Sequence, residues 1–291
     1  MADLPPGAMR AIDTRHGGRP HAICCWQVGE VLIDPGPTSS VENVLAALDG
    51  WRPRAILLTH IHFDHAGATG ALARIWPDVQ VYVHERGAPH MVNPERLWAS
   101  ASRLYGEENM LALWGRFEPV PLDRLVSLRG GETLRIGPDR FEVAYTPGHA
   151  QHHVCYLHEG MAFVGDVAGV RIEPAAPTIP PTPPPDIDIE AWHRSIELLA
   201  AWRPERLGIT HFGLSETPER QLQELSARLD TWAAAARGQD RDAWIRDVAA
   251  DLRAVTSADT FETFMHATPL DQCYAGLRRY WDGRAEATST Q

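Results

Sequence analysis

Residues 55–65 constrain this chain more than any other stretch: the apolar run Ala55–Leu58 passes through Thr59 directly into His60-Ile61-His62-Phe63-Asp64-His65. The run is too short for a helix and Pro53 stands just before it, so it reads as a strand. In an extended segment residues two apart point the same way, so His60 and His62 can face one metal ion. Asp64 and His65 fall at the turn into a helix, expected over Ala66–Ile75, and can address a second ion nearby. Buried imidazoles and carboxylates are costly unless paired or metallated, and packing does not explain four ligand-type residues within six. Nitrogen and oxygen donors together suit Zn2+, Fe or Mn, whereas Ca2+ takes oxygen alone.

Around this segment short apolar runs alternate with helical stretches. Ala22–Val28 and Val31–Asp34 read as a strand pair joined at Gly29-Glu30, followed by a helix over Thr38–Leu48. Further strands are expected at Val79–His84, Phe141–Thr146, Val154–Leu157, Met161–Gly165 and Leu207–Thr210. The alternation predicts a layered α/β domain over residues 1–215 rather than an all-β sandwich. Within it, Arg86–Phe117 carries Leu97, Leu104, Leu111, Trp98, Tyr105 and Trp114 and reads as an inserted helical pair. Pro174–Pro185 contains seven prolines and predicts an extended stretch on the surface. From Glu216 the periodicity is helical to the end. Leu222, Leu225, Leu229 and Trp232 share one face, and Trp244, Val248 and Leu252 repeat every fourth residue. This makes 216–291 a helical C-terminal region, read as a packed cap or as a dimer face, with a homodimer as one expectation.

Three more ligand-type residues end strands in the same way. His149 follows Phe141–Thr146 through Pro147-Gly148, Asp166 ends Met161–Gly165, and His211 ends Leu207–Thr210. In an α/β sheet the C-terminal strand ends converge on one edge. Five His and two Asp delivered by four strand ends fit two ions sharing one carboxylate. Composition narrows the partners. Of 291 residues, 44% are apolar and 22% charged, ordinary for a globular chain, and no apolar run approaches membrane-spanning length. Met1–Arg19 lacks the apolar core of a signal peptide, which leads to the expectation of a cytoplasmic protein. A net charge of −11, with Arg supplying every one of the 27 basic residues, lowers the prospect of nucleic-acid binding and removes any lysine nucleophile. The four cysteines form no CxxC pair, and Cys24, Cys25 and Cys155 read as small buried hydrophobes. Of the other histidines, His153 is read as supporting the site, with simple packing as the alternative, and His84 as a strand-end residue for which pocket lining is the lesser of two readings. His16, His21, His90, His152, His158, His193 and His266 are read as surface or capping residues.

On His60-x-His62-x-Asp64-His65, Thr146-Pro147-Gly148-His149, Gly165-Asp166 and Thr210-His211, residues 20–215 resemble the metallo-β-lactamase-fold superfamily of metallohydrolases. Within it the resemblance is to the hydroxyacylglutathione hydrolase-like branch, with the substrate unassigned. The resemblance implies a four-layer αββα sandwich with a helical C-terminal extension. It implies that His60, His62 and His149 hold one metal, Asp64, His65 and His211 a second, and Asp166 both, with Asp64 also orienting the attacking hydroxide. Asp34-Pro35-Gly36 is similar to the family's Asp-x-Gly element beside the site. Two divalent ions are implied, Zn2+ first and Fe or Mn as alternatives. The implied activity is dinuclear hydrolysis of an ester, thioester or related acyl bond in a small molecule. Phosphodiesterase or nuclease chemistry and a mononuclear iron persulfide dioxygenase are alternatives on the same fold. His62 stands where diiron electron-transfer members carry Glu, and Gly169 where acyl-homoserine-lactone lactonases carry Tyr. Arg278, Arg279 and Arg284 do not reproduce the basic pattern with which hydroxyacylglutathione hydrolases bind glutathione. Trp98, Tyr105 and Trp114 are the candidate substrate contacts.

Overall fold

The computed structural model describes residues 8–173 and 175–289. Two six-stranded sheets are laid down in chain order. The first holds β1 (Met9–Asp13), β2 (Cys24–Val28), β3 (Val31–Ile33), β4 (Ala55–Leu57), β5 (Gln80–His84) and β6 (Leu125–Leu128). The second holds β7 (Thr133–Ile136), β8 (Asp139–Tyr145), β9 (Val154–His158), β10 (Met161–Gly165), β11 (Arg206–Ile209) and β12 (Gly213–Ser215). β3 through β6 run parallel, as do β10 and β11; the remaining neighbours are antiparallel.

Three buried apolar layers hold four structural layers together. Between the sheets, Cys24, Trp26, Ile33 and Leu57 meet Phe141, Val154, Tyr156 and Phe163. The next residue along each strand of the first sheet points the other way. Cys25, Leu32, Ile56 and Val81 pack under helices α1 (Val41–Leu48), α2 (Phe63–Ala66), α3 (Thr69–Ile75), α4 (Ala88–Val92), α5 (Glu95–Tyr105) and α6 (Glu107–Trp114). On the far side, Cys155, Ala162, Val164, Leu207 and Ile209 are covered by α7 (Ile189–Trp202), α8 (Pro218–Gly238), α9 (Arg241–Val255), α10 (Ala258–Ala267) and α11 (Leu270–Ser289). Strands buried on both faces read as unbroken apolar runs, which is why 55–58 shows no alternation. Leu222, Leu225, Leu229, Trp232, Trp244, Val248 and Leu252 all join this last layer, so the C-terminal helices share one core with the second sheet. Among the described residues, no helix is long and apolar enough to cross a membrane.

The structure corrects several expectations. The helix expected over 66–75 begins earlier and breaks: α2 already contains Asp64 and His65, and α3 starts at Thr69. The break lies where Ala68 N donates to Gly36 O and Thr38 Oγ1 to Gly67 O, tying the chain to the loop after β3. The insert contains three helices rather than two. The proline tract is not a surface stretch: residues 178–182 are buried. Val170 and Ile179 exchange backbone hydrogen bonds, and α11 lies across the tract, where Thr182 Oγ1 donates to Cys273 O. β1, β6, β7 and β12 are additional to the expected strands; they are short and lie at or near the sheet edges.

Candidate metal centre

Five strand ends bring polar side chains to one edge. β3 ends on Asp34; β4 leads through Thr59 to His60 and His62, and α2 adds Asp64 and His65. β8 leads to His149, β10 to Asp166 and β11 to His211. Hydrogen bonds between segments of the two sheets lock this edge: Val154 N donates to Thr59 O (2.8 Å) and Cys24 N to Thr210 O (2.7 Å).

The seven side chains converge. His62 Nδ1 lies 3.0 Å from His60 Nε2 and 2.9 Å from His149 Nε2, forming one triad. His211 Nε2 is 3.1 Å from Asp64 Oδ2, and His65 Nε2 is 3.8 Å from the same oxygen, forming a second. Asp166 spans them. Its Oδ2 is 3.3 Å from His149 Nε2, while its Oδ1 is 3.2 Å from His65 Nε2 and 3.6 Å from His211 Nε2. Each triad has the donor types and spacing to hold a metal ion. His62 and Asp64 are half-buried and the other five are buried, so the open side of the centre lies at those two.

Outer hydrogen bonds set the orientation of four of the five imidazoles. Nδ1 of His149 donates to Pro181 O (2.8 Å), of His211 to Ala22 O (2.7 Å) and of His65 to Asp34 Oδ2 (2.8 Å). Thr59 spends its hydroxyl proton on Asp34 Oδ2 (2.6 Å), so Thr59 Oγ1 accepts from His60 Nδ1 (3.1 Å). With Nδ1 protonated in all four rings, each Nε2 lone pair faces inward, the state a metal ligand requires. Asp34 is the hub, fully buried, with Oδ2 also accepting from Thr210 Oγ1 (2.9 Å) and Oδ1 from Thr59 N (2.8 Å). Its φ of +47° is a left-handed conformation that Asp tolerates better than most residues. Behind Asp166, His153 Nε2 accepts from the Asp166 amide at 3.3 Å.

The electrostatics are those of a site built for cations. Burial, with His65, His62 and His149 adding to it, pushes the His60 pKa well below the ordinary value, and burial takes His149 down to about 4. These rings stay neutral and free to ligate. Burial opposes charge on His65 and His211 too, yet Asp166 and Asp64 hold both pKa values up. Burial disfavours charge on Asp64 and Asp166, but His65 and His211 overcome it and hold both carboxyls low. The fit to metal also shows in His65 Nε2 and Asp166 Oδ1: both are buried and 3.2 Å apart, yet neither makes a hydrogen bond of good geometry.

Other candidates are placed differently. His84 is buried and stacks on Tyr145 (4.5 Å, 10°), whose hydroxyl donates to Gln151 O in the His149 loop. His16, His152 and His158, read as surface or capping residues, are buried. His16 stacks on Trp114 (5.0 Å, 3°), and His152 accepts from Ile61 N within 5.7 Å of the His62 ring. Trp98 and Trp114 close around Phe63 at 6.0 and 6.4 Å; the Tyr105 side chain lies outside the described residues. From the sequence, Thr59, Thr146 and Thr210 enter only as members of the ligand segments, without a role of their own, and Pro181 is not singled out. The signal was present, since a threonine closes the strand before each of three ligand segments.

A metallo-beta-lactamase fold-containing protein of Sulfurisphaera tokodaii is 29% identical over 198 residues, 66% of this chain and 72% of that protein. A solved archaeal metallo-beta-lactamase superfamily structure from Sulfolobus tokodaii shares the fold, with a TM-score of 0.71 at 24% identity over 94% of this chain and 99% of that one. The hydroxyacylglutathione hydrolase of Salmonella typhi is 29% identical over 140 residues, 47% of this chain, which spans 41% of that enzyme's length. The pattern of the metallo-beta-lactamase superfamily itself matches residues 29–211, from the turn before β3 to the last of the seven convergent side chains. With nearly two-thirds of its length matched, this chain belongs to the metallo-beta-lactamase superfamily.

Proposed function

We propose that the protein is a dinuclear metal-dependent hydrolase of small-molecule esters or thioesters. The observation that carries this reading is the Asp166 carboxylate, with one oxygen turned to each triad. His60, His62 and His149 would hold one ion, Asp64, His65 and His211 the other, and Asp166 both. Bound there, two divalent ions, Zn2+ first and Fe or Mn as alternatives, supply hydroxide at neutral pH and polarise the substrate's carbonyl oxygen. The protein's own part is orientation. Asp64, at the open side, would align the nucleophile; Asp34, Thr59 and the backbone acceptors hold four of the five imidazoles with Nε2 facing inward; Asp166 keeps the two triads at fixed separation.

The non-reacting part of the substrate has two walls available. Beside the His149 loop, a cavity of about 350 Å³ is lined by Gln151, Asp186, Arg279 and Tyr280 among others. On the insert side, Trp98 and Trp114 offer aromatic surface for an acyl group. The thioester preference draws on the relative named for hydroxyacylglutathione.

Elemental analysis joined to a screen of acyl-thioesters, esters, lactones and phosphodiesters tests the reading. Two metal ions per chain with acyl-bond hydrolysis are expected. Asp166→Ala should lose most of the bound metal and the activity together, because it removes a ligand from both ions. One iron per chain with oxygen uptake on a persulfide would replace this reading with a dioxygenase, and cleavage confined to phosphodiesters would replace it with a nuclease or phosphodiesterase.

A further inference from the structure

Behind Asp166 runs a chain of hydrogen bonds whose direction is set at both ends. The Asp166 amide meets His153 Nε2 at 3.3 Å. A backbone amide can only donate, so Nε2 holds the lone pair and Nδ1 carries the ring proton. His153 Nδ1 therefore donates to Thr146 Oγ1 (2.9 Å). At the other end the Val164 carbonyl can only accept, and it takes the Cys155 thiol proton (3.8 Å). That leaves the sulfur as acceptor for the Thr146 hydroxyl (3.2 Å). Thr146, His153 and Cys155 are fully buried, so water does not compete for these groups.

The chain starts and finishes within Val164–Asp166, after passing through His153 just before β9, Thr146 just after β8 and Cys155 near the start of β9. Gly165 makes that closure possible. Its φ is +46°, and a Cβ there would lie 2.8 Å from His153 Nε2 and 2.4 Å from Thr59 Oγ1. Were His153 protonated on Nε2 instead, two donors would face each other and the Asp166 amide would lose its acceptor.

We propose that Thr146 and Cys155 are positioning residues for Asp166: hydroxyl and thiol hold His153 in the Nδ1-protonated tautomer, and His153 holds the Asp166 backbone so that its carboxylate stays aimed at both triads. This rests on the reading of Asp166 as shared between two cations. Thr146→Val preserves shape while removing the hydroxyl; Thr146→Ser keeps it.

The test is ¹⁵N NMR of imidazole-labelled protein, metal-free and Zn-loaded, with the His153 signals identified by their loss in His153→Gln. Protonated Nδ1 and unprotonated Nε2 are expected in the parent and in Thr146→Ser. Thr146→Val should lose that signature and bind Zn2+ roughly 10–100-fold more weakly, with the circular dichroism spectrum unchanged. A parent His153 protonated on Nε2 would overturn the proposal, as would Thr146→Val with undiminished Zn2+ affinity. Should Thr146→Val not fold, the parent's tautomer and Thr146→Ser decide. The tautomer is read without metal, so failure to bind two ions would count against the dinuclear reading and leave the hydrogen-bond chain separately tested.

Discussion

An imidazole kept neutral by its surroundings makes stability depend on pH, and His16 is such a group. Burial first, then His266 beside it, pushes its pKa down to about 4, with Asp64 opposing. At pH 7 the ring is neutral in both folded and unfolded chains. As pH falls through 6.5 the unfolded chain takes a proton that the folded one refuses until about pH 4. Stability contributed by the neutral ring is therefore present above pH 6.5 and lost between 6.5 and 4. The full effect is about 3 kcal/mol, of which about 2 kcal/mol is lost by pH 4.5. His16→Phe keeps the stacking on Trp114 and removes the titration. Urea unfolding of chelated protein should show the variant losing about 2 kcal/mol less than the parent between pH 7 and 4.5. Equal losses would show that the ring is solvated. No pattern in the sequence marks His16 for burial, because the partners that cover it, Trp114 and His266, lie roughly 100 and 250 positions away.

At the scale of elements, α11 and the proline tract form one device. Arg279 Nε donates to Pro185 O, Thr182 Oγ1 to Cys273 O, and the buried Pro181 carbonyl orients His149. Gly276 permits the close approach: a Cβ there would lie 2.0 Å from Thr182 O. In an open helix Gly→Ala gains roughly 1 kcal/mol. Here the backbone cannot yield without moving the tract, so Gly276→Ala should cost roughly 1–3 kcal/mol by overpacking. Zn2+ affinity should fall with it, as His149 loses its anchor. Chemical denaturation and calorimetric titration check both; a more stable variant would refute the close packing. The tract also shows where reading the sequence stops. Seven prolines dictate an extended backbone but not what covers it, and the cover is a helix some 90 residues later. The convergent residues were legible for the opposite reason. Ligand-type side chains ending apolar runs are rare, and strand polarity alone sends them to one edge. The short strands β1, β6, β7 and β12 were not, since three to five residues carry too little pattern.

For the molecule as a whole, the three apolar layers contain none of the seven convergent side chains. Folding therefore should not depend on metal, unlike small domains that are unfolded without it. Chelator-treated protein should keep its α/β circular dichroism while its unfolding midpoint falls; collapse to coil would show that the cations hold the fold. The order of the strands has one further effect, on the history of the chain. The first sheet is complete by Leu128 and the second begins at Thr133. His60 and His62 belong to the first half and wait for His149; Asp64 and His65 wait for His211. Neither half carries a finished triad, so during synthesis no competent centre exists until the second sheet closes on the first. A complete ligand set for either triad is thereby available only to chains that have brought the two sheets together.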